Sequence, residues 1–581
     1  MAEFDLVIRG GSVVDGTGDA ARLADLAIDG GTIVAVGRVE GTGRREIDAD
    51  GALVTPGWVD VHTHYDAQAT WENVLQPSSW HGVTTVVAGN CGVGFAPVRD
   101  SDHDALIELM EGVEDIPGTA MHEGLKWGWE SFGEYLDVLE GVHHDVDMGV
   151  YVPHDPLRLY VMGQRGADRE DATDDDIAEM ARLARIGIEQ GALGFSTDRV
   201  GIHKTSRGAH TPAFGAAARE CIAIAAEAGK AGSGVLQVVS DFHDEDFNNF
   251  GSIDDEFDML EQMVDASSMP LWFTLTALTS DEGKSCRALM SRIEAANAAG
   301  RRIVGQVAPR AIGVLYGLQC TLNPFSTNPI FRTIEHLSAT ERAAAMRNTD
   351  FRERLLNASP EGTDFRLGAT WLDSWDLMFE LQDPPNYEPE PSESIAARAA
   401  REGRPPAELV YDILLADNGE GMIYVPLTNY MGNLDMVKEM LEHPNTVPGL
   451  SDGGAHVGAI CDASFPTTLL EHWGRDRQRG RLDVPFIVAQ QSAETARFIG
   501  LHDRGVLAPG FRADINVIDF DNLRLRRPEV HYDLPAGGKR LMQRADGYLH
   551  TIVNGVETYR NGEATGSLPG RLIRGARPAP L

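Results

Sequence analysis

Two histidines, His62 and His64, stand one residue apart in the strand-like stretch VDVHTHYD. Successive side chains of a β-strand point to opposite faces, so these two imidazoles would face the same space. Such a pair is either half of a metal site or a coincidence at the end of a strand. Further ligands elsewhere in the chain decide between these interpretations.

Cys91 and Asp452 are the candidates for the remaining ligands. Cys91 follows the strand-like stretch TTVVAGNCG, and Asp452 lies in TVPGLSDGG. Two imidazoles, a thiolate and a carboxylate give four ligands, or three plus water, and this donor set suits Zn²⁺. A zinc ion would lower the pKa of a bound water to about 7. Asp452 could then accept the proton of that water and pass it to a leaving group.

These residues are expected at the ends of parallel strands. Strand-like and helix-like stretches alternate in the middle of the chain, which is typical of βα units around a parallel sheet. The eight strand candidates are GWVDVHTH, TTVVAGNCG, DMGVYVPH, LGFSTD, GVLQVVSD, PLWFTLTA, RIVGQVAP and TVPGLSDGG. The pattern predicts an α/β fold, a (β/α)8 TIM-like barrel, whose active site lies at the C-terminal ends of the strands.

The two ends of the chain are predicted to form a second, smaller domain. Short strands separated by glycine turns occupy residues 1–55 and 501–581, and we expect both segments to meet in one β-sandwich. Residues 56–500 would then form the metal-dependent barrel. Two insertions, at about 100–141 and 310–418, are long enough to be lids or small subdomains. The aromatic side chains of LKWGWESFGEYL, in the first insertion, would line a pocket or pack within the insertion itself.

Composition excludes several classes of protein. The chain has 581 residues and a formal net charge of -38, which would repel the phosphates of nucleic acids. No apolar run is long enough to span a bilayer, so a membrane is not an expected partner. The first residues enter a strand-like pattern without the features of a signal peptide, which predicts a cytoplasmic protein. The five cysteines have no paired short spacing, and a disulfide framework is not expected. The expected partner is a small-molecule substrate; the oligomeric state stays open.

The motifs VTPGWVDVHTHYDA, HGVTTVVAGNCGVGFAP and GLSDGGAHVG resemble those of the amidohydrolase superfamily. More narrowly, they resemble the branch of N-acyl-D-amino-acid deacylases (D-aminoacylases). The stretches LVIRGGSVVDGTG and LHDRGVLAPGFRADINVID resemble the composite β-sandwich of that superfamily. The resemblance implies that His62 and His64 are the paired metal histidines, that Cys91 is a metal-binding cysteine and that Asp452 is the catalytic aspartate.

The sequence departs from this branch at the second metal. In the deacylases, strands five and six each end in a histidine that helps to bind a second zinc. Here GVLQVVSDF and PLWFTLTAL have no histidine, and Val239 and Leu275 stand near the corresponding positions. We therefore expect one zinc ion, held by the four residues named above, with loss of the metal as the alternative. Histidines from loops could substitute for the missing pair, namely His203, His210 or His243.

A second departure concerns the substrate carboxylate. The deacylases have an arginine shortly after the catalytic aspartate, which suits bidentate pairing with a carboxylate, whereas GGAHVGAICDASFPT has none. A basic residue after strand four or strand seven could take this role, unless it is an ordinary surface residue. His456, just past the catalytic aspartate, could shuttle protons or cap its loop. The candidate substrate-binding residues are Arg199, His203, Lys204, Arg207, Arg310 and His456.

His154 in VPHDPLR ends the third predicted strand, where the family has a similar histidine in a GHxxLR-like motif. It is a candidate catalytic residue, a hydrogen-bond donor to the substrate carbonyl beside the metal. The alternative is a structural histidine whose nitrogens are satisfied by neighbouring groups.

These observations predict a metal-dependent hydrolase of carbon–nitrogen bonds. The expected substrate is an N-acyl-amino acid of the D series or a related N-acyl compound, with Asp452 as general base and then general acid. One alternative is a divergent amidohydrolase that acts on an uncharged or cyclic amide. The other is a barrel that has lost catalysis and only binds a ligand.

Overall fold

The protein is described here by a computed structural model, which covers residues 2–242, 252–362, 364, 366 and 368–580. The strands are β1 (Phe4–Val13), β2 (Arg22–Asp29), β3 (Thr32–Gly37), β4 (Gly43–Asp48), β5 (Leu53–Pro56), β6 (Trp58–Asp60), β7 (Val83–Ala88), β8 (Asp147–Val150), β9 (Val152–Pro153), β10 (Gly194–Arg199), β11 (Val235–Ser240), β12 (Leu271–Thr274), β13 (Ile303–Val307), β14 (Gly313–Gly317), β15 (Phe379–Glu380), β16 (Met422–Pro426), β17 (Thr446–Pro448), β18 (Ile515–Ile518), β19 (Arg524–Leu525), β20 (Glu529–Leu534), β21 (Gly538–Met542), β22 (Ala545–Asp546), β23 (Tyr548–Val553), β24 (Val556–Arg560) and β25 (Glu563–Ala564).

The α-helices alternate with the strands through the middle of the chain. They are α1 (His103–Glu114), α2 (Gly118–Gly124), α3 (Phe132–Glu140), α4 (His154–Met162), α5 (Gln164–Ala167), α6 (Asp174–Glu189), α7 (Ala218–Ala228), α8 (Ile253–Ser267), α9 (Lys284–Ala298), α10 (Pro329–Arg332), α11 (Ala339–Met346), α12 (Thr349–Asn357), α13 (Ile395–Glu402), α14 (Pro406–Leu414), α15 (Asp435–Leu441), α16 (Phe465–Thr468), α17 (Val484–Ala489) and α18 (Thr495–Phe498).

Each of the eight predicted strands is present, and these strands pair in parallel in chain order. β6, β7 and β8 form one sheet, and β9, β10, β11, β12, β13 and β17 form the next. Tyr151 separates β8 from β9, so the third predicted strand belongs to both sheets. A parallel bridge between Thr63 and Gly453 joins the residues after the first strand to those after the eighth. The C-terminal ends of the first, second and eighth strands are thereby brought together.

Burial on both faces explains why these segments become parallel strands. Every residue of β7, VTTVVA, is buried, and so is every residue of β10. Parallel strands covered by helices on both faces read as continuous runs rich in β-branched residues. The helices between them have clear starting signals; Thr173 and Asp176, for example, form a capping box at the start of α6.

Strands from both ends of the chain share one sheet. Among the described residues, β1 to β5 and β18, β23, β24 and β25 belong to this sheet, in which β18 pairs antiparallel with β5. Its buried side chains, such as Ile8, Ile28 and Ile515, form a core of their own. Both ends therefore meet as the glycine-punctuated patterns predict. The division of the chain at residues 55 and 500 stays a prediction.

The first insertion is helical and packed. Helices α1, α2 and α3 lie within it, and its tryptophans contact neighbouring side chains and main chain. Trp127 stacks on His103 with 3.8 Å between ring centroids, and the indole nitrogen of Trp129 donates to the carbonyl oxygen of Phe95 at 2.8 Å. These contacts favour the packing role for the aromatic residues of this insertion.

The second insertion has its own core. Strands β14 and β15 of the insertion pair with β16, which follows it, in a small antiparallel sheet, and helices α10 to α14 contribute side chains to the same core. Buried side chains including Tyr316, Phe331, Tyr411 and Ile423 belong to one apolar cluster. This insertion is therefore a small subdomain.

Two further sequence expectations can be compared with the structure. All five cysteines lie within the described residues, where they are free and buried. No helix among the described residues is both long enough and apolar enough to cross a membrane.

Candidate metal centre

His62, His64, Cys91 and Asp452 come together at the C-terminal ends of the parallel strands. The Nε2 atom of His62 lies 3.2 Å from Cys91 Sγ and 3.3 Å from Asp452 Oδ1. The Nε2 atom of His64 lies 3.6 Å from the same carboxylate oxygen. Both imidazoles are buried, whereas the Asp452 side chain is 15% exposed. The four predicted ligands thus surround one small space that is open to solvent on the side of the carboxylate.

The spacing of these donor atoms fits a single zinc ion. Ligands about 2.0–2.3 Å from a tetrahedral zinc are separated from one another by roughly 3.3–3.6 Å. The observed separations of 3.3 and 3.6 Å lie within this range, and that of 3.2 Å lies just below it. Over the described part of the chain, His62, His64 and Cys91 are the one group of three or more His, Cys, Asp or Glu side chains with metal-binding spacing. Soft thiolate and imidazole ligands also favour zinc over magnesium or calcium.

Local backbone geometry places the non-histidine ligands. Cys91 and Asp452 have positive φ angles of 54° and 49°, in the left-handed region that most residues avoid. The amide of Asp452 donates to the carbonyl oxygen of His62 at 3.1 Å, and the amide of His64 donates to that of Gly453 at 2.7 Å. Sharp turns held by main-chain hydrogen bonds therefore aim the thiol and the carboxylate at the two histidines.

Gln306 on β13 orients the imidazole of His62. Its side-chain oxygen accepts from His62 Nδ1 at 2.8 Å, so the proton stays on Nδ1 and Nε2 keeps its lone pair toward the other ligands. Burial is the main cause that lowers the pKa of His62 to about 4, against the opposing effect of the Asp452 carboxylate. His62 is therefore neutral at pH 7, as a metal ligand must be.

Glu114, the last residue of α1, performs a similar role for His64. Its Oε1 lies 3.2 Å from His64 Nδ1, and its Oε2 lies 3.5 Å from His456 Nε2. The carboxyl group is 1% exposed, and neither oxygen has a hydrogen bond of good geometry. Burial raises the pKa of Glu114 to about 7. Burial opposes the charged form of His64, but the carboxylates of Glu114 and Asp452 outweigh it and raise that pKa to about 9.

Glu114 is not among the residues predicted from the sequence, although α1 contains a signal for it. The buried positions of this helix include Ile107, Met110 and Val113, and Glu114 continues the same apolar face four residues after Met110. An acidic residue on the buried face of an amphipathic helix needs a partner inside the protein.

Strands five and six bring no histidine to the site. Val239 and Leu275, which the sequence comparison with the deacylases placed near the missing histidines, are buried, 7% and 0% exposed. Gln237 on β11 contacts the site instead, because its side-chain oxygen accepts from the amide of Cys91 at 3.1 Å. Of the loop histidines considered as substitutes, His210 stacks on a phenylalanine at 4.3 Å and His243 lies outside the described residues.

His154 is enclosed by other side chains. It is fully buried, with Nδ1 2.8 Å from Thr197 Oγ1 and Nε2 2.9 Å from Glu220 Oε1. Arg158 also donates to Glu220. Since both ring nitrogens of His154 have protein partners, the structural interpretation of this residue is favoured over hydrogen bonding to a substrate.

The three candidate arginines pair with carboxylates of the protein. Arg199 forms a two-pronged pair with Glu256 at 2.5 and 3.0 Å, and both side chains are buried. Arg310 lies 2.9 Å from Asp462, and its guanidinium stacks 3.6 Å from the ring centroid of Tyr387. The exposed Arg207 donates to Glu108. The described ion-pair partners of these three arginines are therefore protein carboxylates and not the candidate metal ligands.

A cavity of about 580 Å³ is lined by residues that are close in the chain to the centre, but by none of the four candidate ligands. Asp115 and Gly458 line it, and they follow Glu114 and His456 closely in the chain. Lys539, from the β20–β21 hairpin near the C-terminus, also lines the cavity and donates to two main-chain carbonyls. The cavity is large enough for a small substrate.

Comparison with known proteins identifies the family. The model of the Amidohydrolase family matches residues 45–559, which include every ligand of the candidate centre. The chain belongs to the amidohydrolase family. The family predicted from the sequence is thus confirmed, and D-aminoacylases are among the similar proteins.

The relatives differ in how much of this chain they match. An uncharacterized protein of Mycobacterium tuberculosis is 28% identical over an alignment that covers 97% of this chain and 93% of its own. The D-aminoacylase of Alcaligenes xylosoxydans xylosoxydans is 35% identical, over 33% of this chain and 37% of its own.

Solved structures share the fold over almost the whole chain. A D-aminoacylase has a TM-score of 0.64 and 23% identity, covering 98% of this chain and 100% of its own. An N-acyl-D-glutamate deacylase from Bordetella bronchiseptica, complexed with zinc and a phosphonate inhibitor, has a TM-score of 0.64 and 23% identity, covering 98% and 99%.

Proposed function

We propose that this amidohydrolase uses one zinc ion to hydrolyse the amide bond of an N-acyl-D-amino acid or a related N-acyl compound. The observation that carries the proposal is the group of His62, His64 and Cys91, whose donor atoms all lie within 4.8 Å of one another. Asp452 Oδ1 lies 3.3 Å and 3.6 Å from Nε2 of the two histidines and is the proposed fourth ligand. We also infer that the parallel strands close into a (β/α)8 barrel, which the bridge between Thr63 and Gly453 supports.

The protein groups divide the work of hydrolysis. Zinc bound at this site supplies a Lewis acid for the acyl carbonyl and acidifies a water molecule. His62 and His64 would hold the ion through Nε2, while Gln306 accepts from His62 Nδ1 and the Glu114 carboxyl group lies 3.2 Å from His64 Nδ1. Asp452 is the general base and then the general acid: it takes a proton from the attacking water and delivers it to the leaving nitrogen.

The electrostatics of Asp452 keep its side chain charged. Burial favours its neutral form, but the two neighbouring histidines outweigh burial and hold the pKa of Asp452 below its usual range. The carboxylate is therefore ionised at neutral pH, the form in which it can bind a cation. Its 15% exposure leaves it accessible to water and to a substrate.

The expectation of one zinc ion rests on strands five and six, where Val239 and Leu275 replace the histidines of the deacylases. A study of a solved D-aminoacylase describes a binuclear centre with one-metal activation and second-metal attenuation. A site that retains one ion is therefore compatible with catalysis on this fold.

Two observations favour a second class of substrate, amides without a free carboxylate. No arginine follows Asp452 closely, and the candidate Arg199 and Arg310 are committed to buried carboxylates. A substrate without a free carboxylate, such as an uncharged or cyclic amide, would not need such an arginine.

Metal analysis combined with a substrate panel tests the proposal. The purified protein is expected to contain one zinc per chain, and changing both His62 and His64 to Ala is expected to abolish zinc binding. N-acetyl-D-amino acids, their L enantiomers, and uncharged and cyclic amides then define the substrate class. A protein that binds no metal, and that keeps its stability after the double substitution, would contradict the proposal.

A further inference from the structure

Asp198 and His203 form a carboxylate–imidazole pair after the fourth parallel strand. Asp198 lies in β10 and is fully buried, and its Oδ2 lies 2.9 Å from His203 Nδ1. Its Oδ1 accepts from the amide of Val200 at 2.8 Å, which fixes the carboxylate. The carboxylate therefore binds His203 through Nδ1. The other ring nitrogen, Nε2, points away from Asp198. The His203 side chain is 15% exposed, so a small molecule can reach it.

The loop that carries His203 packs against two elements of the metal centre. A Cβ atom on Gly92, the residue after Cys91, would lie 2.8 Å from the amide nitrogen of Asp198. On the other side, the amide of Ser206 donates to Glu108 of α1 at 3.0 Å, and a Cβ atom on Gly112 would meet the carbonyl carbon of Thr205. The loop is thus wedged between the turn of Cys91 and the helix that ends at Glu114.

Electrostatics agree with this placement. Burial is the main cause that lowers the pKa of His62 and of His456, and the positive charge of His203 adds to the shift of each. Burial opposes the charged form of His203 itself, but Asp198 outweighs it and raises that pKa to about 9. His203 is therefore an imidazolium at neutral pH, and its Nε2 is a hydrogen-bond donor.

The proposed hydrolysis needs such a donor. A negative charge develops on the acyl oxygen in the transition state, and a protein group that donates to this oxygen stabilises it. His154 was the predicted donor, but Thr197 and Glu220 occupy both of its nitrogens. Arg199 and Arg310 are bound to buried carboxylates.

We propose that His203 is a catalytic residue that donates a hydrogen bond from Nε2 to the acyl oxygen of the substrate, and that Asp198 is its positioning residue. This inference rests on the proposed function. The oxygen of water forms a bond to the acyl carbon, and the electron pair of the C=O bond moves onto the acyl oxygen. His203 keeps its proton throughout. The proton of the water passes by way of Asp452 to the nitrogen as the C–N bond breaks, which yields a carboxylic acid and an amine.

The test compares His203→Asn, His203→Gln and Asp198→Asn with the wild-type zinc enzyme. His122→Gln is the control, because it removes an imidazole that is 57% exposed on α2. The readouts are zinc content, kcat and KM for the best N-acetyl-D-amino acid, and calorimetric binding of the matching N-methylphosphonyl-D-amino acid. In this probe a tetrahedral phosphorus replaces the acyl carbon.

We expect His203→Asn to lower kcat by about 10²–10³ while KM changes less than about threefold. Zinc content should stay at the wild-type level, and binding of the phosphonyl probe should weaken by a factor similar to that in kcat. His203→Gln can place its amide N–H near the position of Nε2, which the shorter Asn does not reach, and should recover part of kcat. Asp198→Asn should lower kcat about tenfold or more, because it loosens the ring.

Three results would overturn the inference. They are an unchanged kcat in His203→Asn, a rise in KM alone, which would assign His203 to the substrate carboxylate, and loss of zinc in parallel with loss of activity. If His203→Asn does not fold, His203→Gln and Asp198→Asn still decide the matter through kcat and probe binding. A wild-type enzyme that hydrolyses no N-acyl compound would instead contradict the proposed function, so the two failures are distinguishable.

Discussion

Replacing Glu114 by Gln should weaken zinc binding without removing any ligand. The carboxylate lies 3.2 Å from His64 Nδ1 and is 1% exposed, so the substitution keeps the shape of the side chain and removes its charge next to a buried ligand. Carboxylate partners of metal-bound histidines contribute about 10–100-fold to metal affinity. We expect a loss of zinc affinity at the upper end of this range, about 100-fold or about 2.7 kcal/mol. The contact is shielded from solvent, and a second group, His456, lies beside the same carboxylate.

Zinc affinity is best measured by competition with a chromophoric chelator at fixed pH and salt. Asp104→Asn, on the exposed side of the same helix α1, is the matched control and should bind zinc like the wild type. Thermal unfolding of the zinc-free proteins separates a folding defect from a binding defect. An unchanged zinc dissociation constant in Glu114→Gln would refute the reasoning that Glu114 orients His64.

The other predictions concern a second imidazole contact, metal removal and acid stability. Gln306→Leu, which removes the acceptor for His62 Nδ1, should weaken zinc binding about tenfold in the same competition assay. Chelation of the metal should abolish hydrolysis and lower the melting temperature, and added zinc should restore both. A melting temperature that does not change on chelation would contradict the proposed metal site. The carboxylate of Glu388 accepts hydrogen bonds from His472 and Arg477. Burial favours its neutral form, but these partners outweigh burial and lower the pKa of Glu388 to about 2. The ionised carboxylate therefore stabilises the fold above pH about 4.5, and this contribution is lost as the pH falls toward 2. Urea titrations should therefore show Glu388→Gln destabilised by about 3 kcal/mol at pH 7 and by progressively less below pH 4.5, and an equal difference at pH 7 and pH 3 would contradict this.

The clustering of the four candidate ligands could be predicted from the sequence because short motifs encode their positions. His62 and His64 share a strand end, and the turns around Cys91 and Asp452 follow buried strands directly. Strand alternation then fixes the face on which the imidazoles lie, and parallel pairing in chain order brings the first, second and eighth strands together.

Contacts made by inserted segments could not be predicted in this way. Glu114 reaches His64 from a helix of the first insertion, and no local pattern fixes where such a helix docks. The partners of His154 illustrate the same limit, since Glu220 lies on α7, well beyond the strand that precedes His154. The ion pairs of Arg199 and Arg310 also depend on tertiary packing, so sequence alone left these residues free to bind a substrate.

The most direct test of the central claim is a crystal structure of the purified protein with anomalous data collected on both sides of the zinc absorption edge. We expect one zinc peak per chain, within about 2.0–2.4 Å of His62 Nε2, His64 Nε2, Cys91 Sγ and an oxygen of Asp452. A zinc peak bound elsewhere, a second fully occupied peak beside Val239 and Leu275, or no metal in an active enzyme would contradict this claim.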